Sequence, residues 1–285
     1  MIPHPEKLLE MAIPAIDVAW TSSDTILYAL ATGFGRDPID ERELAFVIEG
    51  SGQRVSPTNA IALYYDDRWM DLSGVNRAMS LHGEQRNVFH QPIPPAGRGR
   101  VTSRFTGIFD KGPGRGLVVE CEQVLHDLAS GEPIATNVVT NFARADGGIG
   151  YSSGPAPRPH AIPARSPDLI IERTTRSEQA LIYRLCGDRN PLHAVPETAR
   201  AAGFPRPVLH GMCGYGFACR AVLQGVCDYD PARLRSFGAR ISAPVYPGDD
   251  LRTEIWIDGT DVSFRVTVPE RDGIVVFNNG SALIA

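Results

Sequence analysis

Gly147-Gly-Ile-Gly-Tyr-Ser-Ser-Gly-Pro-Ala-Pro-Arg-Pro-His-Ala-Ile-Pro163 divides the chain. Dense in Gly and Pro and without hydrophobic periodicity, it reads as a linker between two elements of structure. The flanking stretches are of similar length. The expected organisation is therefore a first domain over residues 1–147, a linker over 148–167 and a second domain over 168–285.

The two flanks share a plan. Thr21-Ser-Ser-Asp24 opens Ile26-Leu-Tyr-Ala-Leu30, and Thr175-Arg-Ser-Glu178 opens Leu181-Ile-Tyr-Arg-Leu185. Both carry the Ser/Thr-x-x-acid pattern of a capped helix start. Both run on into Gly, Asp and Pro, and Leu-His-Gly occurs in each, at 81–83 and at 209–211. Alternating segments follow, at 101–109, 117–128 and 134–143 in the first flank and at 234–245, 251–258, 262–269 and 273–284 in the second. Gly-, Asp- and Pro-rich turns separate them, as expected of antiparallel neighbours. One good helical pattern, 212–226, has a small-residue face of Gly214, Gly216 and Ala218. A helix followed by antiparallel strands, twice over, predicts an α+β fold in which each sheet wraps around a helix.

Composition narrows the function. A chain of 285 residues that is 43% hydrophobic and 21% charged has the make-up of a globular protein. No apolar run approaches the roughly 20 residues that span a bilayer. The start, Met1-Ile-Pro-His-Pro5, has no basic, apolar leader character, and the end, Ala282-Leu-Ile-Ala285, is not a Ser-Lys-Leu address. The expectation is a cytoplasmic protein with no membrane partner. A net charge of −5 argues against a nucleic-acid partner, which leaves a basic footprint. Five cysteines, with no Cys-x-x-Cys pair, fit reduced thiols better than a disulfide framework or a zinc site. Cys186, beside the motif described next, reads as a small buried residue rather than a reactive thiol.

That motif is Tyr183-Arg-Leu-Cys-Gly-Asp-Arg-Asn-Pro-Leu-His193. Gly187 is a natural helix stop. Pro191 fixes its own φ and pushes Asn190 toward an extended conformation. Asp188 and His193 can then project from one stiff bend and grip a single water between carboxylate and imidazole, as hydration of an activated double bond requires. Pro205-Arg-Pro-Val-Leu-His-Gly211 leads into the Gly-rich helix. The Gly211 N–H would stand at the helix N-terminus, where free donors and the positive end of the dipole meet and an enolate-like oxygen is stabilised.

Gly-Asp-x-Asn-Pro-x-His followed by Leu-His-Gly-x-Cys-x-Tyr-Gly-Phe resembles the MaoC-like (R)-specific enoyl-CoA hydratases. The likeness is nearest to the hydratase part of peroxisomal multifunctional enzyme type 2. It covers nearly the whole chain, through Phe46-Val-Ile-Glu-Gly50, Leu81-His-Gly-Glu-Gln85, Gln91-Pro-Ile-Pro-Pro95, Phe109-Asp-Lys-Gly112 and Pro244-Val-Tyr-Pro-Gly248. The resemblance implies a double hot-dog fold, a homodimer, an acyl-CoA substrate, no metal and no redox cofactor. It implies Asp188 and His193 as a catalytic dyad, Asn190 helping to hold the water and Gly211 as an oxyanion donor. It also implies substrate contacts from His82, Gly83, Lys111 and Ile241, with Glu49 near the site. The reaction implied is reversible syn hydration of trans-2-enoyl-CoA to (R)-3-hydroxyacyl-CoA in β-oxidation of fatty or related acyl chains.

The first flank has Gly33-Phe-Gly-Arg-Asp-Pro38 where the second has its motif, and no histidine at the matching place. It reads as a duplicated half that lost its dyad and became the acyl receptacle. Two departures from the family pattern fall in that half: Arg86-Asn87 after Gly-Glu-Gln, and Asn59 closing Ser56-Pro-Thr-Asn59. They bear on the acyl group rather than on the chemistry. Two other readings stand beside hydration: an acyl-CoA thioesterase on the same fold, and a non-catalytic acyl-CoA-binding protein. The complete Asp-x-Asn-Pro-x-His spacing speaks against both. Lys111 in its Gly-Pro-Gly turn and Glu49 at a strand end also have bland readings, as a solvated loop tip and an ordinary surface carboxylate.

Overall fold

A computed structural model describes residues 4–285; the first three residues of the N-terminal stretch read above lie outside the described residues. Ten strands form one antiparallel sheet. In the first half they are β1 (Ile13–Trp20), β2 (Ser80–Phe89), β3 (Gly97–Asp110), β4 (Leu117–Asp127) and β5 (Pro133–Ala143). In the second they are β6 (Leu169–Thr174), β7 (Leu234–Ile241), β8 (Asp250–Asp258), β9 (Asp261–Val268) and β10 (Ile274–Ile284). The spatial order is β1-β3-β4-β5-β2-β7-β10-β9-β8-β6. Read outward from the seam, both halves use the same permutation, which is the sheet-level form of the repeat seen in the sequence. The seam is β2 against β7, in the register Gln85↔Ala239 and Asn87↔Phe237.

The helices are less symmetric. α1 (Ser22–Ala31), α2 (Glu41–Leu44) and α3 (Arg68–Ser73) lie in the first half, and α4 (Gln179–Tyr183), α5 (Pro196–Ala201) and α6 (Gly211–Val226) in the second. α6, at sixteen residues, is the long helix that its sheet wraps. Its glycines mark close approaches. A Cβ on Gly214 would lie 2.8 Å from the Phe277 ring, and one on Gly216 would lie 2.3 Å from Thr32 at the end of α1. The first half has no counterpart of that length. Where the second has α6, the first has the short α2 and α3 with a 3₁₀ turn, Pro57–Ile61, between them. The expected α+β double hot-dog is the observed fold, with its long helix in the second half and shorter helices in the first.

The capping expectation divides in the same way. Thr21 and Asp24 form a complete capping box on α1. Thr175 instead donates from its hydroxyl to the Asp249 carbonyl (3.0 Å), and α4 starts only at Gln179, without a side-chain cap. The predicted strands all form. β1, β2 and β6 are additional. The linker crosses the outside of the sheet, where His160 Nε2 meets the Ser263 hydroxyl at 2.7 Å and the Asn279 amide donates to the His160 carbonyl at 2.7 Å.

The halves are also locked side chain to side chain. Glu43 of α2 accepts hydrogen bonds from Arg220 Nε of α6 (3.0 Å), from the Tyr229 hydroxyl (2.9 Å) and from the Gly35 N–H (3.1 Å). Both members of this ion pair are 3% exposed, so the contact is an interior clamp rather than a surface pair. No helix among the described residues is long and apolar enough to cross a membrane.

Candidate active site

α4 ends in a 3₁₀ turn, Arg184–Cys186, and Gly187 follows at φ +124°, a conformation that a side chain resists. Asn190 takes φ −53° and ψ 124° ahead of Pro191, the extended conformation expected of a residue before proline. Between these two fixed points the loop is tied to itself. The Asp188 carboxylate accepts from the Asn190 N–H (3.0 Å), and the Asn190 side-chain oxygen accepts from the Leu192 N–H (3.0 Å). Asn190 therefore builds the bend as well as lining the cavity.

His193 donates from Nδ1–H to the Val208 carbonyl at 2.9 Å. A carbonyl only accepts, so the proton sits on Nδ1 and the lone pair is left on Nε2. By the same logic His210 donates from Nε2–H to the Asp188 backbone carbonyl at 3.1 Å. The two imidazoles stack at 3.8 Å between centroids and 26° between planes. Burial lowers the pKa of His193, against the opposing pull of the Val208 carbonyl and the Asp188 carboxylate. Burial, and then the adjacent His193, push His210 down to about 3. Both rings are neutral near pH 7.

Donor atoms of Asp188, His193 and His210 lie within 4.8 Å of one another. One carboxylate and two imidazoles could in principle hold a divalent ion. The stack argues against it: nearly parallel rings project their lone pairs in adjacent planes, whereas a chelate needs them to converge at about 2.0–2.1 Å from one point. The arrangement suits a small neutral molecule held between a carboxylate and Nε2.

These groups open into a cavity of about 570 Å³, within the range of ligand sites. Asp188, Asn190, His193 and Gly211 all line it, as do His82, Gly83 and Ile241. The structure thus brings together seven of the nine residues singled out in the sequence. Gly211 is the first residue of α6, and its N–H has no acceptor within the helix. A Cβ there would sit 2.9 Å from Ile241 Cδ1, so glycine keeps the helix start and β7 in close approach. Lys111 and Glu49 are not in the cavity wall; both are exposed, Lys111 at the β3–β4 turn and Glu49 after α2. Cys186 does line it, but burial pushes its thiol up to about 12, which leaves it protonated and a poor nucleophile.

The cavity runs on under the first half, where Tyr64, Tyr65, Trp69 and Met70 form one wall and Gln85 and Asn141 belong to the sheet side. Sequence reasoning did not single these out. Tyr65 packs on the dyad loop, its Cβ 3.1 Å from where a Gly187 Cβ would stand, a contact between distant positions that leaves no local signal.

Residues 159–276 match the family model described as MaoC like domain, and residues 19–145 match the MFE-2 hydratase 2 N-terminal domain. The chain is 39% identical to the enoyl-CoA hydratase ChsH3 of Mycobacterium tuberculosis, over 93% of each chain. It is 36% identical to the peroxisomal enoyl-CoA hydratase 2 of Arabidopsis thaliana, over 95% of this chain and 93% of that one. A MaoC-like dehydratase crystal structure from Phytophthora capsici superposes with a TM-score of 0.89 at 28% identity, covering 99% of this chain and 97% of that one. Fold, repeat and motif agree with these relatives, and the chain belongs to the MaoC-like dehydratase family, in its two-domain hydratase 2 branch.

Proposed function

We propose that the protein is an (R)-specific enoyl-CoA hydratase that adds water reversibly across trans-2-enoyl-CoA in β-oxidation. The observation that carries this reading is the Asp188 carboxylate and a base-competent His193 imidazole, within 4.8 Å of each other, at the mouth of a helix N-terminus in one cavity. Relatives across the family are named enoyl-CoA hydratases, and the site has the groups such a reaction needs. Water lies between Asp188 and His193 Nε2. Its oxygen attacks the β-carbon as the pair takes up its proton. The π electrons move through the α-carbon onto the thioester oxygen, which the Gly211 N–H stabilises. The pair then returns a proton to the α-carbon, the enolate collapses, and one water has been added with no other reactant consumed. Asn190 holds the bend that aims both groups.

With one dyad on one side of the substrate, hydroxyl and hydrogen arrive on the same face, which gives syn addition; the likeness to the hydratase 2 relatives supports the (R)-3-hydroxyacyl-CoA as the product. Residues 1–147 and 168–285 act as receptacle and catalytic domain, joined by the 148–167 linker. Lys111 meets the CoA phosphates outside the cavity. The protein works as a cytoplasmic homodimer.

Incubation with trans-2-enoyl-CoA tests the reaction: enoyl absorbance should fall without release of free thiol. Thiol release would instead indicate a thioesterase. In D₂O the two new stereocentres should report syn addition and an R alcohol. Anti addition would require acid and base on opposite faces and would rule out a one-loop dyad; an S alcohol formed by syn addition would mean that the dyad addresses the other face of the enoyl plane and would overturn the R assignment alone.

A further inference from the structure

The inner face of the first-half sheet is amidic. Cross-strand rows on β2, β5 and β4 read Asn87–Asn137–Gln123, then Gln85–Val139–Cys121, then His82–Asn141–Val119. The first row is satisfied internally. Asn87 Nδ2 donates to Asn137 Oδ1, the Tyr215 hydroxyl donates to Asn87 Oδ1 at 2.6 Å, and Gln123 Nε2 donates to the Asp66 carbonyl at 3.1 Å.

The other two rows differ. Gln85 Oε1, Asn141 Nδ2 and His82 Nε2 are buried atoms without a hydrogen-bond partner. Gln85 is 0% and Asn141 3% exposed, and all three residues line the cavity. They form one cluster: His82 and Asn141 are cross-strand partners, and Gln85 lies near enough to His82 to favour its protonated form. Burial nevertheless pushes His82 down to about 4, so the cluster is neutral near pH 7.

We infer that Gln85, Asn141 and His82 form a subsite for an uncharged oxygen function, above all a hydroxyl, carried by the acyl group, so that the preferred substrate is an oxygenated acyl-CoA rather than a plain alkyl one. The inference rests on the hydratase reading for its CoA thioester and extends it to substrate class. A hydroxyl supplies both halves of what the cluster lacks: its hydrogen reaches the Gln85 acceptor, and its oxygen accepts from Asn141. A ketone pairs only with the donors. A carboxylate would face Gln85 Oε1 with no cation in the cluster. An alkyl chain filling the cavity excludes solvent and leaves the Asn141 amide unpaired, with His82 alone beside the Gln85 acceptor. A site built to hydrogen-bond a substrate hydroxyl discriminates strongly against the analogue that lacks it.

The test compares trans-2-enoyl-CoAs of equal length, plain and with one hydroxyl walked along the chain. The proteins are the full-length wild type, Asn141→Leu and Gln85→Met. Calorimetric Kd values for the matching saturated acyl-CoAs, and for CoA itself, need no turnover. At the matching hydroxyl position wild type should favour the hydroxylated substrate by about 10²-fold or more in kcat/KM. Each variant should collapse that ratio toward one while binding CoA as wild type does. The inference is overturned if no hydroxyl position is preferred. It is also overturned if the variants weaken plain acyl-CoA, hydroxylated acyl-CoA and CoA alike, because the cluster would then serve the pantetheine amides common to all of them. If enoyl absorbance never falls but calorimetry still ranks the hydroxylated ligand first and the variants erase that ranking, the hydratase reading fails and the subsite stands.

Discussion

The two halves use one strand order to opposite ends. In the second half the sheet closes on α6 with Phe237, Phe264 and Phe277 fully buried against it, and the loop between α4 and α5 carries Asp188 and His193. In the first half the equivalent face presents Gln85, Asn87, Asn137 and Asn141, and short helices leave a cavity over it. The contrast is sharpest at the seam, where Asn87 pairs directly with Phe237. A sheet face must be covered by something. Covering one copy with helix yields a rigid platform for chemistry; leaving the other partly uncovered yields room for a ligand. If the two tasks are divided as proposed, disturbance in the second half should appear in kcat and disturbance in the first in KM and substrate choice.

The largest expected effect breaks that comparison if it is absent. Asp188→Asn and His193→Gln should each fold normally and lose about 10²–10⁴ in kcat, the usual contribution of a general acid-base group, with KM little changed. Steady-state kinetics beside a circular dichroism spectrum decide it. Near wild-type turnover in either variant would mean that the chemistry is not confined to this loop.

Next in size is the clamp between the halves. Glu43→Ala removes the acceptor for Arg220 and leaves that guanidinium buried and unpaired, which typically costs about 3–5 kcal/mol. Chemical denaturation should show one transition, shifted as a whole. Two separate transitions would show that the halves are independently stable and that the clamp contributes little.

These same residues show what the sequence could convey. The second half was legible because its strands alternate and its motif is contiguous: the 212–226 pattern is α6 within one residue, and Asp188, Asn190 and His193 share one short loop. β2 was not legible. Its inward positions carry Gln85 and Asn87, so the hydrophobic alternation that reveals a strand is missing where the sheet faces a cavity instead of a core. β1 and β6, the sheet's two edges, show only partial burial and so weak patterning. The Glu43–Arg220 pair spans 177 positions and leaves no local trace. Asn59 and Asn87, which stand out against the family pattern, are both buried; Asn87 belongs to the satisfied amide row. Neither lines the cavity, so any influence on the acyl group would pass through the residues packed around them.

A smaller effect concerns pH. His210 in the second half is held down to about 3 and His82 in the first to about 4, both below the ordinary imidazole value near 6.5. The unfolded chain therefore binds protons that the folded one refuses between about pH 6.5 and those values, and stability falls as pH drops through that window. His210→Gln should flatten the fall of Tm with decreasing pH in part, since His82 still contributes. A Tm–pH slope equal to wild type would mean that His210 is protonated in the folded protein, which is incompatible with its neutral stack on His193.

The smallest effect belongs to Lys111 and decides how far the first half's binding role reaches beyond the cavity. Lys111 is exposed at the β3–β4 turn, outside the cavity wall, so any pairing with CoA phosphates is made in water. Exposed ion pairs contribute about 0–1 kcal/mol, which limits Lys111→Ala to a rise in KM of roughly fivefold or less at low salt. With the chemistry placed as proposed in the second half, kcat should be unaffected if the phosphates are remote from the reacting carbon. Screening supplies the control. With a Debye length of about 10 Å at 0.1 M and about 3 Å at 1 M, the KM difference between variant and wild type should shrink as salt is added. An ion pair predicts convergence of the two proteins with salt; lost packing predicts a constant ratio. A KM unchanged at every ionic strength would make Lys111 a solvated loop tip and place the boundary of the binding half at the cavity mouth.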